Sequence, residues 1–235
     1  MIVLKDSLDV SEYIEQIQTY NLDLINNQIY LFGEESYISP ETNPNEPSNE
    51  PGVEFSMANR FMKNLQLCLH FNPKKTLIIQ MKTCGGDWQE GIAIYDAIKA
   101  YPNPVVIVSE THARSMSSLI LQAASVRYLL QNSVFMFHYG AYGDTGEAKT
   151  VWHTMKFHHN SSNSTMLDIY VASMLKGPKF QGWSNKKCRN LLKAKMNSKG
   201  DVYLTAQEAL EWGFADKILE SWQDLNMEVK SGKKG

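Results

Sequence analysis

Thr111–Ala124, THARSMSSLILQAA, is the stretch that decides the fold. Upstream of it, the β-branched run Pro104–Val108 (PVVIV) predicts one buried strand. Downstream, Met116–Ala124 is apolar at nearly every position, as in a helix that is buried on all sides. The polar turn between them presents the hydroxyl of Ser115. Unpaired N–H groups at a helix start suit a nucleophile whose attack creates an oxyanion, while an N-cap serine is the alternative from this stretch alone.

A second connection from strand to helix lies at Thr76–Asp87, TLIIQMKTCGGD. An apolar strand, Leu77–Met81, runs into Gly85 and Gly86, and an amphipathic helix begins near Asp87. Paired glycines allow backbone torsions and close approaches that side chains forbid. Their N–H groups can therefore point at a ligand, as in an oxyanion hole, although a tight turn without a ligand is the alternative.

A third stretch, Ser133–His138 (SVFMFH), predicts a strand that ends in a histidine and precedes a glycine-rich loop. A histidine in this position can act as a general base, or it can be an ordinary polar residue. From residue 76 to residue 138 the strand and helix patterns alternate, which predicts parallel βαβ units in an α/β fold. Crossovers between parallel strands are right-handed, so all three stretches can meet at one end of the sheet.

The rest of the chain predicts further elements around this centre. They are an amphipathic helix within residues 1–26, strand Gln28–Phe32, helices Val53–Phe71, Ala148–Leu175, Trp183–Leu192 and Thr205–Gly213, and a closing strand Asp216–Leu219. Thr205 and Glu208 have the spacing of a capping box, and Gly213 is a helix stop. Glu34–Gly52 holds four prolines among polar residues and predicts a surface loop.

Composition narrows the class of protein. A chain of 235 residues with 43% hydrophobic content can bury one core, and a net charge of −2 argues against nucleic acid as the main partner. No apolar run reaches the roughly 18 residues of a membrane span, which predicts a soluble, cytoplasmic protein with no membrane partner. The three cysteines (Cys68, Cys84, Cys188) and the histidines His153, His158 and His159 lack the spacing of a metal site, so we expect no metal.

The order strand-Gly-Gly-helix, strand-Ser-helix, strand-His resembles the Clp protease proteolytic subunit (ClpP) family. The resemblance runs from about Gln28 to Leu219 and is carried by four motifs: CGGD at 84–87 with GIAIYDAI at 91–98, ARSM at 113–116, NSVFMFHYGAYG at 132–143, and YLTAQEALEWGFADKIL at 203–219. It implies a serine endopeptidase of the ClpP/crotonase-like fold, a spiral of βαβ units with a projecting helix–strand handle. It also implies a homo-oligomeric ring, a heptamer or stacked heptamers, that receives unfolded polypeptides from an AAA+ unfoldase.

The same resemblance divides the chain into an N-terminal segment at 1–27, a peptidase domain at 28–220 and a C-terminal tail at 221–235. Within the domain, 34–52 is an insertion loop and 140–176 is the handle. It assigns Ser115 as nucleophile and His138 as general base, with no cofactor. The other assigned residues are Gly86 and Met116 for the oxyanion hole, and Gly85, Gly140, Ala141 and Tyr142 for substrate binding.

Three positions depart from the family pattern. Cys84 stands where a proline commonly precedes the two glycines, and Arg114 stands beside the nucleophile where the family prefers a small residue. The third is the triad acid. An ungapped count back from YLTAQEAL gives Asn197, whereas a one-gap shift gives Asp201. An asparagine carries no charge to stabilise an imidazolium, so Asn197 predicts a slow peptidase.

Two alternatives share the fold. One is a catalytically weak or inactive ClpP-like subunit that scaffolds an active partner. The other is a crotonase-type acyl-CoA enzyme, which also uses a backbone oxyanion hole. The second is less favoured because such an enzyme more often supplies a carboxylate base than a serine with a histidine.

Overall fold

The computed structural model describes residues 9–32, 52–143 and 145–225, which form one eight-stranded sheet and seven α-helices. The strands are β1 (Leu22–Asp23), β2 (Gln28–Phe32), β3 (Leu77–Thr83), β4 (Val105–Arg114), β5 (Val126–Leu130), β6 (Val134–Phe137), β7 (Val202–Thr205) and β8 (Lys217–Leu219). The helices are α1 (Val10–Tyr20), α2 (Phe55–Phe71), α3 (Trp88–Ala100), α4 (Met116–Leu121), α5 (Ala148–Met174), α6 (Asn185–Lys199) and α7 (Ala206–Trp212).

The sheet follows the order β1-β2-β3-β4-β5-β8, while β6 pairs with β4 and β7 pairs with β6. Strands β2, β3, β4 and β5 run parallel to one another, and β6 on β4 and β8 on β5 are also parallel. Only the contacts of β1 with β2 and of β7 with β6 are antiparallel among the described strands. The predicted α/β fold with parallel βαβ units is confirmed.

Strand β4 is twice as long as the predicted strand Pro104–Val108 because it has two successive partners on one side. Its first half, Val106–Ser109, pairs with β5, and its last residues, His112–Arg114, pair with β6. The residues expected to form a polar turn therefore belong to the strand. Ser115 alone forms the connection to α4.

Several predicted boundaries agree with the structure, and the differences have local causes. Strand β2 is as predicted, and the capping box of Thr205 and Glu208 opens α7. Helix α2 begins at Phe55, two residues later than predicted, because the Glu54 carboxylate caps it. Helix α6 begins two residues later than the predicted Trp183–Leu192, because the Ser184 hydroxyl caps its start. It also extends further, to Lys199, where Gly200 ends it.

An aromatic cluster fixes β6 against α5 and α7. Phe135 and Phe137 of β6 are fully buried, and Phe135 stacks on Phe214 with ring centroids 4.7 Å apart. Phe137 lies 5.7 Å from the ring of Tyr170 in α5 and 5.9 Å from the ring of Trp212 in α7. The strand that leads to His138 therefore rests on a rigid apolar base.

Parts of three predicted regions lie outside the described residues. They are residues 1–8 of the N-terminal segment, all of the insertion loop except Gly52, and residues 226–235 of the tail. In the described part of the chain, no helix has the length and apolarity needed to cross a membrane.

Candidate active site

Ser115 sits in a strained conformation between β4 and α4. Its φ of 51° and ψ of −124° are rare for a residue other than glycine, and such torsions cost about 1–3 kcal/mol. Two neighbouring elements hold it there. The Ser115 N–H donates to the Met136 carbonyl of β6 at 3.0 Å, and the Ser115 carbonyl accepts the Ser118 N–H at 3.1 Å.

The buried hydroxyl of Ser117 joins the ends of β3 and β4 to the first turn of α4. Its Oγ lies 2.8 Å from the Thr83 carbonyl oxygen of β3 and 2.7 Å from that of Arg114 in β4. It also accepts the Arg114 N–H at 2.9 Å. The backbone on the N-terminal side of Ser115 is thereby fixed.

His138 follows the last residue of β6 and uses its two ring nitrogens for different partners. Nε2 lies 2.8 Å from Ser115 Oγ, and Nδ1 lies 2.9 Å from Asp201 Oδ1. An ionised carboxylate can only accept, so Nδ1 carries the proton and Nε2 has a free lone pair. The Ser115 hydroxyl therefore donates to Nε2. This is the arrangement of a serine nucleophile, its base and an orienting acid.

Asp201 owes its place to the antiparallel pairing of β6 with β7. Phe137 pairs with Val202, so the next opposing positions are His138 and Asp201. The ungapped prediction of Asn197 is wrong as to the residue that contacts His138. Helix α6 continues to Lys199, which leaves Asn197 exposed on its last turn, before Gly200 ends the helix. The missed signal was a glycine stop followed by the alternating strand VYLT.

Gly85 approaches Ser115, and Gly86 approaches Val53, more closely than a residue with a side chain could. A Cβ on Gly85, which has a φ of 103°, would lie 2.7 Å from Ser115 Cβ and 2.9 Å from Met116 N. Gly86 forms a bridge with Val53, in which Gly85 accepts the Val53 N–H and Val53 accepts the Asp87 N–H. In a parallel bridge the central residue's own N–H points away from its partner, so the Gly86 N–H points away from Val53.

Met116 supplies a second backbone donor beside Ser115. It is the first residue of α4, and an N–H in the first helical turn has no acceptor within its own helix. Gly85 thus packs against the Ser115 side chain and the Met116 nitrogen, and Gly86 is the next residue along the chain.

The other predicted site residues lie on the surface after His138. Gly140, Ala141 and Tyr142 are exposed, and no strand in the described residues pairs with them. The Tyr142 ring stacks on His158 of α5 with centroids 4.8 Å apart. The predicted helix Ala148–Leu175 agrees closely with α5.

The two departures near the nucleophile have different surroundings. Cys84 is a partly exposed cysteine outside any disulfide, and it directly follows β3. Arg114 Nη2 lies 3.3 Å from His112 Nε2. Among the described residues, no three His, Cys, Asp or Glu side chains converge as metal ligands.

A comparison with known families agrees with this geometry. The sequence model of the Clp protease family matches residues 50–222, which is more than half of the chain. The matched range includes the two glycines, Ser115, His138 and Asp201. The mostly parallel sheet and the helices of this chain are those expected of the ClpP/crotonase-like fold. This chain belongs to the Clp protease family and is a ClpP-like peptidase.

Proposed function

We propose that the chain is a serine endopeptidase in which Ser115 is the nucleophile, His138 the general base and Asp201 the orienting acid. The observation that carries the proposal is the position of His138, with Ser115 Oγ at 2.8 Å from one ring nitrogen and Asp201 Oδ1 at 2.9 Å from the other. Both distances are those of hydrogen bonds, so no rearrangement is needed before the proton moves.

Catalysis follows from this arrangement in two halves. Ser115 Oγ attacks the peptide carbonyl while its proton passes to His138 Nε2, and the resulting imidazolium is stabilised by the Asp201 carboxylate. The tetrahedral intermediate collapses, and His138 returns the proton to the leaving amine. In the second half, a water molecule loses a proton to His138 and attacks the acyl-serine ester, which releases the acid product and restores Ser115.

The N–H groups of Gly86 and Met116 are proposed to bind the oxyanion of both intermediates. The support is that Gly85, which precedes Gly86, packs against Ser115 and the Met116 nitrogen, and that Met116 follows Ser115 in the chain. Loss of one such donor typically costs about 10²–10³ in rate. The Gly85 position cannot gain a side chain without collision, which explains the pair of glycines.

The substrate class is an extended polypeptide. Gly140, Ala141 and Tyr142 follow the base directly and are exposed, so a peptide could pair with their backbone as an added strand and reach Ser115. Gly85 would border its other side. By relation to the family, we further propose a ring of several copies, heptameric or stacked, that works with an AAA+ unfoldase.

A fluorophosphonate probe, which reacts with activated serines, tests the proposal. The wild-type protein should be labelled and should cleave a fluorogenic peptide, and Ser115→Ala should lose both without a change in its circular dichroism spectrum. Cys84→Ala is the matched control, because Cys84 is the other nucleophile near the glycines, and it should keep both activities. Cleavage by Ser115→Ala would refute the assignment, and an unlabelled wild type would favour a scaffold subunit.

A further inference from the structure

A buried pair of hydroxyl groups connects helix α5 to the proposed nucleophile. Tyr170 of α5 places its hydroxyl oxygen 2.7 Å from Ser118 Oγ of α4, and Ser118 Oγ lies 2.6 Å from the Ser115 carbonyl oxygen. Tyr170 is 1% exposed and Ser118 is fully buried. The proposed proton transfers use neither hydroxyl, so the pair needs a separate explanation.

The direction of these hydrogen bonds can be deduced. A carbonyl oxygen only accepts, so the single Ser118 hydroxyl proton is donated to the Ser115 carbonyl. The Tyr170 hydroxyl must then donate to Ser118 Oγ. Burial raises the pKa of the Tyr170 phenol, so it stays protonated and remains a donor at neutral and alkaline pH.

The acceptor at the end of this chain belongs to a peptide group that also contains a proposed oxyanion donor. The Ser115 carbonyl and the Met116 N–H share one planar peptide unit and point in opposite directions across it. Whatever fixes the carbonyl therefore fixes the N–H. A hydrogen bond accepted by the carbonyl also polarises the N–H and strengthens it as a donor.

We propose that Tyr170 and Ser118 are positioning residues that aim the Met116 N–H at the oxyanion, an inference that rests on the function proposed above. Ser115 has strained torsions, and without the Ser118 hydroxyl its carbonyl keeps only the longer hydrogen bond from the Ser118 N–H, so the peptide is less well held against rotation towards a commoner conformation. Tyr170 is surrounded by the rings of Phe135, Phe137 and Phe214, where a phenylalanine would fill the same space without burying a hydroxyl. The Tyr170 hydroxyl instead contacts Ser118 Oγ and, through it, the Ser115 carbonyl.

The test compares Ser118→Ala and Tyr170→Phe with the wild type on a fluorogenic peptide and a peptide boronate. The boronate forms a tetrahedral adduct with the serine and places an oxygen in the oxyanion hole, whereas KM reflects mainly ground-state binding. For Ser118→Ala we expect kcat and boronate affinity each to fall about tenfold, with KM within about twofold. In Tyr170→Phe, kcat and boronate affinity should fall less, because the Ser118 hydroxyl still donates to the Ser115 carbonyl. The double variant should be no worse than Ser118→Ala alone.

Ser133→Ala and Tyr101→Phe are the matched controls. Ser133 Oγ is also buried and bonds the carbonyls of Ser109 and Glu110, but it does not contact the Ser115 peptide. Tyr101 is a buried tyrosine at the end of α3. Both controls should keep kcat and boronate affinity.

Two outcomes overturn the inference while leaving the proposed function intact. One is an active wild type whose Ser118→Ala and Tyr170→Phe variants keep kcat and boronate affinity. The other is a fall in kcat and boronate affinity in those variants that is no larger than the fall in Ser133→Ala, or that is fully explained by the fraction of the variant that is unfolded. If Ser118→Ala does not fold, Tyr170→Phe decides alone. A wild type that the fluorophosphonate does not label would instead refute the proposed function itself.

Discussion

Among single residues, Asp201 carries the clearest prediction, because its carboxylate forms a hydrogen bond with His138 Nδ1. Asp201→Asn should lower kcat while leaving the fold intact, since an amide neither enforces the Nδ1–H tautomer nor stabilises an imidazolium. Such a change lowers kcat about 10⁴-fold in a serine protease with a buried acid. The Asp201 side chain is 49% exposed, so water screens its charge and we expect a loss nearer 10²-fold. Steady-state kinetics on a fluorogenic peptide measures it.

Asn197 provides the control for that experiment. It is exposed on the last turn of α6, so both Asn197→Ala and Asn197→Asp should leave kcat within about twofold of the wild type. An increase in rate for Asn197→Asp, together with an unaffected Asp201→Asn, would show that the acid comes from the helix and that the strand pairing is different in the active enzyme.

The same residues mark how far sequence reasoning reaches. The pairing of Ser115 with His138 could be predicted because each follows a predicted strand and both lie in motifs that resemble the ClpP family. Asp201 could not be preferred over Asn197 by spacing alone. Its position depends on the register of β7 against β6, a contact between residues more than sixty positions apart. The Ser118 and Tyr170 contact likewise joins two helices whose separation the sequence does not encode locally.

At the scale of secondary structure elements, the aromatic cluster predicts where the free energy of unfolding is concentrated. Phe214 is fully buried and contacts the rings of Phe135, Phe137, Tyr170 and Trp212. Phe214→Ala should lower the free energy of unfolding by about 3–5 kcal/mol, since it removes these contacts and leaves a cavity. Urea denaturation followed by tryptophan fluorescence measures the change.

The control for this prediction is Phe55→Ala, the same substitution at a side chain that is 67% exposed. Its effect should stay within about 0.5 kcal/mol. Equal effects of the two substitutions would mean that the cluster does not fix β6, α5 and α7 together.

Elements marked by a strong local signal were predictable, and elements without one were not. The apolar run of β2 and the capping box of α7 are local signals, and both agree with the structure. Strand β5 is five residues long and β7 only four, and periodicity over so few residues does not by itself separate a strand from a loop. For β7, the glycine stop before VYLT is the additional signal. The extension of β4 arises from pairing with β6, which is tertiary information.

At the scale of the whole molecule, helix α5 has a largely buried C-terminal part and an exposed N-terminal part. Its C-terminal part, from Met166 to Met174, is largely buried, whereas Trp152, Met155 and Phe157 near its start are 56%, 41% and 66% exposed. Large apolar side chains grouped on a surface commonly mark a protein interaction site. These exposed side chains support the proposal that copies of the chain assemble and that α5 lies in the contact between them.

The last prediction tests that assembly. The variant Trp152→Glu with Phe157→Glu should sediment as smaller species than the wild type at micromolar concentration, because each carboxylate would be desolvated at an apolar interface. Its circular dichroism spectrum should not change, since both side chains are exposed in the single chain. The control is Trp222→Glu, at a tryptophan that is 53% exposed and lies near the C-terminal end of the described residues. This variant should sediment like the wild type. A monomeric wild type would refute assembly altogether, and an oligomer that survives both glutamates would place its interface away from α5.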